Sequence, residues 1–411
     1  MNLLENEQVK QCLCYLKEDD ERTLREQLEL VQMPAPSFHE EKRAKYVYDK
    51  FREIGLEDVT IDEIGNVTGK LSGTEEGPSI MLAAHTDTVF PMETDLTVRK
   101  EGNRYYCPGI NDDTRAVAEL FSIARAMIAS GLRTRGNLIF CANVCEEGLG
   151  DLKGVKYLFE KETKPDAFVT IDNLAMEGII YTATGSNRFE VTFEGRGGHS
   201  FSDFGLPNPI HAMGRAIAEI ADFKVPKNPK TTFNVGVIQG GTSVNTIASK
   251  ASMLIDIRSD SKEELENMTE KMKAAVKRAA EQETTRWESD EKVTVEITPK
   301  GVRPAGTQEK ECAIVQAAIE ASKMLGIQPQ LRDESSTDAN IPISMGIPAI
   351  ALGRGGKEGG VHTKEEWFEA DEAWLGPQRD VLCLLLLAEK IEKRRCNERL
   401  KKTCAIENNE L

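Results

Sequence analysis

Glu146 and Glu147 stand side by side directly after the apolar run NLIFCANVC, which predicts a buried strand. Two neighbouring carboxylates repel each other, so their place at one strand end requires a reason. One interpretation is an ordinary strand end in water. The other is a site where bound positive charge needs both carboxylates.

His85 ends the apolar run SIMLAAH, and Asp87 stands two residues later. Residues i and i+2 of an extended strand share a face, so Asp87 can reach the imidazole and fix its tautomer, as partners of metal-binding histidines do. Taken alone, a histidine at a strand end is more often structural than catalytic. Asp112 and Asp113 precede the helical run TRAVAELFSIARAMIASG, where one aspartate would suffice as an N-cap, so the second favours a further role.

Asp172 ends the strand-like run AFVTID, and His362 lies in the glycine-rich segment GRGGKEGGVHTKEE after the run PAIALG. Because ligands bind at the carboxyl ends of strands in α/β sheets, we expect these residues to meet at one edge of a sheet. Two histidines with several carboxylates and no thiolate are typical of two zinc-like ions that share a bridging carboxylate. Such ions would accommodate the adjacent glutamates, one as a metal ligand and one as a general base.

The elements that must position these residues follow two patterns. Strand-like and helical runs alternate up to residue 184 and again after residue 300, which predicts an α/β catalytic domain with a mixed, mostly parallel sheet and helices on both faces. Residues 185–300 instead follow the order β-α-β-β-α-β of a ferredoxin-like α+β domain. We therefore predict that this smaller domain is inserted into a discontinuous domain of residues 1–184 and 301–411. Ser37 is the expected N-cap of a helix over residues 40–54.

Length and charge limit the possible partners. With 411 residues the chain is too long for one typical domain, and its net charge of −16 argues against binding to nucleic acid or an anionic membrane. Glu5 and Glu7 stand where a secretion signal would be apolar, and the longest apolar run, VLCLLLLA, is far too short for a membrane span. Nine cysteines without a CxxC pair indicate reduced thiols. We expect a cytoplasmic protein.

Taken together, these motifs resemble the family of dizinc metallopeptidases and amidohydrolases that includes peptidase T, glutamate carboxypeptidase and acetylornithine deacetylase, and they are most similar to its peptidase T-like branch. The resemblance covers nearly the whole chain, and its motifs stand in family order: HTDTV, GINDDTRAVAEL, EEGLGDLKG, VTIDN, GRGGHS, GGTSVNTIA, DIRS, STDAN and GGVHTKEE. The sequence departs from the family at Arg115 and Ala116, in a segment usually richer in Lys and Gly. It also departs at the two serines of SSTDAN, where glycines are common.

The resemblance implies a set of metal ligands. His85 and Asp172 would bind one ion. Glu147 and His362 would bind the other, and Asp112 would bridge the two. The implied cofactor is two Zn²⁺ ions per subunit, with Co²⁺ or Mn²⁺ as alternatives.

The same resemblance implies the acid–base groups. Glu146 would be the general base, and Asp87 would orient His85. Asp113 is the rival of Asp112 for the bridging position. Counting back from the helix residues Val117 and Ala118 favours Asp112.

For the inserted domain, the resemblance implies the role of a lid and a dimerisation surface. His199 in RGGHS would reach across a homodimer and help to stabilise the oxyanion. Asn245 in TSVNTIA and Arg258 in DIRS would bind substrate, Arg258 as a fork for a carboxylate. From the residues alone, Arg258 could equally form a strand-end ion pair. The glycine pairs lack the spacing of phosphate-binding loops.

The resulting hypothesis is a metal-dependent exopeptidase for short peptides, an aminopeptidase similar to a tripeptidase. An aspartate at the position of Asp172 tends to accompany aminopeptidase activity in this family, whereas a glutamate accompanies carboxypeptidases and deacylases. The main alternative is an N-acyl-amino-acid amidohydrolase that uses the same metals and base. A mononuclear zinc protein and an inactive, metal-bound interaction protein are further alternatives, and the presence of Glu146 with every ligand argues against the inactive protein.

Overall fold

The structure, a computed structural model, describes residues 3–161, 164–333 and 335–407. The chain divides into two compact units, Met1–Thr182 with Gln308–Leu411 and Ala183–Thr307. The first division falls at 182/183 where 184/185 was expected, and the second at 307/308 where 300/301 was expected. The second shift arises because a strand over Thr294–Arg303 runs through residue 300.

Short 3₁₀ turns lie at Leu3–Glu5 and Gly148–Gly150. In the described residues the α-helices are α1 (Glu7–Glu18), α2 (Asp20–Val31), α3 (Glu41–Ile54), α4 (Thr114–Ala129), α5 (Lys153–Lys161), α6 (Pro209–Ala221), α7 (Lys262–Thr285), α8 (Ala313–Met324), α9 (Asn340–Ser344) and α10 (Leu375–Glu407). The strands are β1 (Glu57–Ile61), β2 (Val67–Leu71), β3 (Ile80–His85), β4 (Arg99–Glu101), β5 (Arg104–Tyr106), β6 (Leu138–Asn143), β7 (Ala167–Asn173), β8 (Gly178–Ile180), β9 (Gly185–Glu194), β10 (Gly198–His199), β11 (Thr231–Gly240), β12 (Thr246–Ile247), β13 (Lys250–Ser259), β14 (Thr294–Arg303), β15 (Gln330–Arg332), β16 (Ala349–Gly353), β17 (Lys357–Gly359) and β18 (Trp367–Glu369).

The larger unit is built on a sheet with the strand order β1-β2-β6-β3-β7-β16-β8-β15. Its four central strands, β6, β3, β7 and β16, run parallel. Strands β2 and β8 flank them in the antiparallel direction. The predicted mixed, mostly parallel sheet is confirmed.

Both faces of this sheet are covered by helices, and adjacent residues of β7 demonstrate it. Val169 belongs to the main hydrophobic core together with Leu120 of α4. Phe168 instead packs against Phe159 of α5, with ring centroids 5.7 Å apart. Consecutive side chains of a strand point to opposite faces, so α4 and α5 lie on different sides. Burial on both faces explains why the central strands read as continuous apolar runs.

A small antiparallel sheet in the same unit, ordered β17-β18-β5-β4, presents the segment that contains His362. Strands β17 and β18 pair as a hairpin, with Gly359 opposite Trp367. His362 lies in the connection and adopts a positive φ of 64°.

The smaller unit contains β9, α6, β11, β13, α7 and β14 in that order, which is the predicted β-α-β-β-α-β arrangement. Its sheet is antiparallel, with the order β11-β13-β9-β14. Helices α6 and α7 share its hydrophobic core through residues such as Ala216 and Met272. Strands β10 and β12 form a separate two-stranded pair.

The start of α3 differs from the prediction. The prediction that Ser37 caps α3 is wrong, because Glu40 occupies the N-cap position and the Ser37 hydroxyl donates to Oδ2 of Asp87 instead. Within the part of the chain that the structure describes, no helix combines the length and apolar character needed to cross a membrane.

Candidate metal centre

The carboxyl ends of three neighbouring parallel strands carry several of the candidate residues. His85 is the last residue of β3, and Asp172 is the next to last of β7. Strand β6 ends at Asn143, and Glu146 and Glu147 follow it. Because β6, β3 and β7 are adjacent and parallel, these ends lie at one edge of the sheet.

The two ring nitrogens of His85 face different partners. Nε2 is 3.3 Å from Oδ1 of Asp112 and 4.0 Å from Oδ1 of Asp172. Nδ1 is 3.0 Å from the main-chain oxygen of Asp87 and 3.4 Å from its Oδ1. A proton on Nδ1, donated to Asp87, would leave Nε2 to coordinate a metal ion.

Asp112 faces both histidines. Its Oδ1 points to His85, while its Oδ2 is 2.9 Å from Nε2 of His362. The same Nε2 is 2.9 Å from Oε1 of Glu147. Asp112 therefore presents one oxygen to each imidazole, as a bridging carboxylate would.

Asp113 has different partners. It occupies the N-cap position of α4, but its side chain makes no capping hydrogen bond. Its Oδ2 accepts the main-chain N–H of His85 at 2.9 Å, and its Oδ1 accepts Nε of Arg354 at 2.6 Å. Both oxygens of Asp113 are thus engaged in holding other parts of the cluster.

Glu146 and Glu147 are held by the carboxylate of Asp87. Oδ1 of Asp87 accepts the main-chain N–H of Glu146, and Oδ2 accepts that of Glu147, each at 2.9 Å. The Ser37 hydroxyl adds a third bond at 2.6 Å. With 4% and 8% of their surfaces exposed, the glutamates are buried, so the interpretation as a solvated strand end is wrong.

Burial and neighbouring carboxylates shift the pKa values of the aspartates and histidines in this cluster. Burial raises the pKa of Asp113 well above its usual value and also raises the pKa of Asp172. Burial alone would lower the pKa of His85, but Asp113, Asp112 and Asp87 outweigh it and hold that pKa well above the usual value. Hydrogen bonds to Asp112 and Glu147 raise the pKa of His362 to about 10. The cluster therefore favours bound positive charge.

The donor atoms fit divalent cations. Imidazole nitrogens and carboxylate oxygens lie within 4.8 Å of one another in three groups. The first group is His85, Asp112, Asp113 and Asp172, the second is His85, Glu146 and Glu147, and the third is Asp112, Glu147 and His362. In a tetrahedral zinc site, with bonds of about 2.0–2.1 Å, neighbouring donor atoms are about 3.3 Å apart. The 3.3 Å between His85 and Asp112 and the 2.9 Å contacts of His362 are close to that spacing. Donors of this type without thiolate suit zinc-like ions. We call His85, Asp112, Glu147, Asp172 and His362, with Glu146, the metal centre.

Sequence reasoning missed Arg354, which is 3% exposed. Its Nη2 is 2.6 Å from Oδ1 of Asp112 and 3.0 Å from Oδ1 of Asp172, in addition to the bond from Nε to Asp113. The available signal was its position directly after β16, whose carboxyl end lies at the same sheet edge.

Glu366 was also missed. Its buried carboxylate accepts main-chain N–H groups from Gly109 at 2.8 Å, Asn111 at 2.9 Å and Asp112 at 3.0 Å. Burial raises the pKa of Glu366 to about 7. Because the partners of Glu366 are main-chain N–H groups, no pattern of residue types in the sequence predicts that it holds this segment.

The smaller unit brings His199 and Asn245 together. His199 pairs with Thr246 across strands β10 and β12, and the main-chain oxygen of Asn245 accepts the N–H of Ser200 at 2.9 Å. Nδ1 of His199 accepts the N–H groups of Phe201 and Ser202, both at 3.3 Å. The proton of a neutral ring therefore sits on Nε2, which becomes a hydrogen-bond donor.

A pocket of about 610 Å³ lies beside this pair of strands and is lined in part by Gly197, Gly198, Gly240 and Gly241. Arg258 stands apart on β13, where its Nε donates to Oδ2 of Asp256 at 2.7 Å. This contact corresponds to the ion-pair alternative for Arg258, although the side chain remains 46% exposed.

Comparison with known proteins gives a consistent result. Residues 81–388 match the model of peptidase family M20/M25/M40. The uncharacterized protein YqjE of Bacillus subtilis (strain 168) is 26% identical over 372 residues, which cover 86% of this chain and 95% of YqjE. Succinyl-diaminopimelate desuccinylase of Corynebacterium glutamicum is 25% identical over 344 residues, 79% of this chain and 86% of that protein. Aminopeptidase PepT of Bacillus cereus ATCC 10987 shares the fold, with a TM-score of 0.74 at 23% identity over 90% of this chain and 99% of PepT.

Proposed function

The chain belongs to peptidase family M20/M25/M40 and is a metal-dependent hydrolase, and from this premise we propose that it is an exopeptidase that removes the N-terminal residue from short peptides. The observation that carries the metal-dependent part of the proposal is the position of Asp112, which turns one oxygen to His85 and the other to His362. An arrangement of this kind suits two cations that share one carboxylate.

The proposed ligands divide into two sets around Asp112. His85 and Asp172 would hold one ion, and Glu147 and His362 the other, with Asp112 in both sets. Zn²⁺ is the proposed metal, with Co²⁺ or Mn²⁺ as alternatives, because the donors are imidazole and carboxylate. Two such ions would supply a nucleophile at neutral pH and a Lewis acid for the scissile carbonyl.

Glu146 is the proposed general base. It is buried within reach of the ligand atoms of His85 and Glu147, and its main chain is fixed by Asp87. In this role its carboxylate takes a proton from the attacking water and returns it to the leaving amine. Asp87 then has two functions, since it supports Nδ1 of His85 and fixes the backbone of both glutamates.

His199, Asn245 and Arg258 are the proposed substrate contacts of the smaller unit. The Nε2–H of His199 is suited to donate to the oxygen on which negative charge develops. Asn245 lies close to it, since its main-chain oxygen accepts the N–H of Ser200, the residue after His199. For Arg258, binding a substrate carboxylate would require its contact with Asp256 to open.

Two lines of support favour an aminopeptidase. The residue at the end of β7 is an aspartate, Asp172, as in the aminopeptidases that the sequence resembles, and the fold is shared with aminopeptidase PepT. The similarity to a desuccinylase favours the second candidate, an N-acyl-amino-acid amidohydrolase that uses the same ligands and the same base.

The two candidates are separated by initial rates on metal-loaded protein. Di- and tripeptides with free amino termini are compared with their N-acetylated forms and with N-acyl amino acids. We expect cleavage of the free peptides and none of the acetylated peptides. Release of acyl groups with the free peptides intact would overturn the aminopeptidase in favour of the amidohydrolase. The Glu146→Gln variant is the control for contaminating peptidases.

We also propose a homodimer formed through the smaller unit. Strand β11 lies at an edge of its sheet, and its second half exposes Val237 and Ile238, at 44% and 60%. An apolar edge strand is a ready surface for pairing with a second copy. Light scattering should give the mass of two chains for the native protein and of one chain for Ile238→Lys. A monomeric native protein would overturn the proposal.

A further inference from the structure

Arg354 is a buried cation in direct contact with the metal centre, and the proposed reaction gives it no role. Its guanidinium holds three carboxylates at once, with Nε on Oδ1 of Asp113 at 2.6 Å and Nη2 on Oδ1 of both Asp112 and Asp172, at 2.6 and 3.0 Å. Nη1 is 3.5 Å from Oε2 of Glu358. The planar fork of arginine makes this possible, because a lysine ammonium is a point charge on a flexible chain.

These contacts are unequally distributed over the metal centre. The two oxygens that Nη2 binds are the same two that face Nε2 of His85, at 3.3 and 4.0 Å. The other set of ligands is joined by direct contacts of His362 with Oδ2 of Asp112 and Oε1 of Glu147. Within the described residues, the hydrogen bonds and ion pairs of Arg354 reach neither Glu147 nor His362.

We propose that Arg354 is a positioning residue that makes the two metal sites unequal, so that the ion on Glu147 and His362 binds first and more tightly than the ion on His85 and Asp172. The inference rests on the proposed two-ion function. A fixed positive charge repels a divalent cation nearby, and the repulsion is strong in a buried site of low dielectric constant. The second ion must also share or displace the bonds of Nη2 to Asp112 and Asp172, whereas the bond of Nε to Asp113 can remain.

An order of filling follows for function. At low metal concentration the protein holds one ion on the His362 side, and Arg354 keeps the empty ligands of the other side neutralised and in place. A buried carboxylate without a partner is costly, so this neutralisation supports the folded chain until the second ion arrives. In the proposed two-ion function, hydrolysis then follows the occupancy of the weaker site.

The test is a titration of metal-free protein with Zn²⁺ by calorimetry and with Co²⁺ by visible absorption. Native protein should give two dissociation constants that differ by at least about tenfold, and Arg354→Met should tighten the weaker one by about tenfold. Arg354→Lys should keep the two constants apart, because it keeps the charge. Equal constants in the native protein, or native constants in Arg354→Met, would overturn the inference.

Ligand variants assign the constants independently of the folding of Arg354→Met. Asp172→Asn should lose the weaker ion, and Glu147→Gln the tighter one. The reverse assignment would overturn the order of filling. If the native protein binds neither ion, the proposed function itself fails, and this inference falls with it.

Arg125 provides a matched control for the loss of a buried arginine. It is 6% exposed, and it donates from Nε to Oδ2 of Asp19 at 2.9 Å and from Nη1 to Oε2 of Glu26 at 2.8 Å. Arg125→Met should lower Tm and leave both metal dissociation constants unchanged. A change in the ratio of the constants in this variant would show that any buried arginine has the effect, and would overturn the specific role of Arg354.

Discussion

At the scale of single residues, Glu146 and Glu147 have the same chemistry and the same backbone support, yet they are proposed for different tasks. Both main-chain N–H groups are held by Asp87. Glu147 contacts His362 directly at 2.9 Å, and this contact is the basis for proposing Glu147 as a ligand. Glu146 is the proposed base.

The comparison of Glu146→Gln with Glu147→Gln tests this division. Each change removes one charge with almost no change in shape. Glu146→Gln should retain both ions and lose about 10²–10⁴-fold in kcat, the range typical of a lost general base. Glu147→Gln should lose an ion as well as activity. The checks are kcat on a tripeptide and bound metal by elemental analysis. Full activity in Glu146→Gln would contradict its role as the base.

Asp338 offers a residue-scale prediction about pH. It is fully buried and accepts Nδ2 of Asn143 at 2.6 Å, and burial raises its pKa to about 7. The folded state therefore holds the carboxyl proton of Asp338 more tightly than the unfolded chain does. The stabilisation that this proton gives the folded state is complete below the pKa of the unfolded chain and is lost as the pH rises to about 7. Between pH 5 and 8, the free energy of unfolding of metal-free Asp338→Asn should therefore fall by about 2–3 kcal/mol less than that of metal-free native protein. The size follows from ~1.4 kcal/mol for each pH unit between the two pKa values.

Denaturant unfolding of EDTA-treated protein at several pH values provides the measurement. Asp49, an exposed aspartate of α3, supplies the matched control Asp49→Asn, which should follow the pH dependence of the native protein. Parallel curves for Asp338→Asn and native protein would show that Asp338 does not carry the proton.

At the scale of elements, the connection between β17 and β18 contacts the segment of residues 109–112 at two places near the metal centre. His362 contacts Asp112 directly, and Glu366, later in the same connection between β17 and β18, holds three main-chain N–H groups of residues 109–112. The position of Asp112 therefore depends on the segment that also carries a proposed ligand.

Glu366→Gln should loosen this connection. A glutamine offers one oxygen where the carboxylate offers two, so at least one buried N–H group loses its partner, at about 1–3 kcal/mol. We expect a lower Tm in metal-free protein and weaker binding of both Zn²⁺ ions, since Asp112 belongs to both ligand sets. Calorimetric titration and thermal unfolding measure the two effects. Glu365→Gln, a change at the exposed neighbour, is the control and should alter neither. Native metal affinity in Glu366→Gln would contradict the positioning role.

The elements were largely predictable from sequence, whereas some of the contacts between them were not. Its continuous apolar run predicts that a segment such as β3 is a buried strand. Because functional crevices lie at the carboxyl ends of such strands, His85 and Asp172 are then predicted to lie close together. Ser37 failed as a cap because its hydroxyl is engaged by Asp87, from a distant part of the chain. Arg354 could not be placed because its contacts depend on the direction in which the chain leaves β16. Local propensity carries no information about such tertiary competition.

At the scale of the whole molecule, the change from alternating α/β runs to the β-α-β-β-α-β order made the inserted unit predictable. The second boundary was placed too early, at 300/301, which falls inside β14, because that strand continues to Arg303 and lies entirely in the smaller unit. The division also separates proposed functions, since Glu146 belongs to the larger unit and His199 to the smaller one.

This separation allows a test of whether His199 acts on the metal centre of a partner subunit. His199→Ala and Glu146→Gln proteins, each inactive alone, are unfolded together, refolded at equal amounts and assayed on a tripeptide. If the donor acts across the dimer, a mixed dimer has one site with both changes and one intact site. Because half of the dimers are mixed, activity should return to about a quarter of the native value. A donor acting within its own chain leaves one defect in every site, so the mixture would stay inactive. The control mixes Glu147→Gln with Glu146→Gln, two changes in the same unit, and should show no recovery under either arrangement.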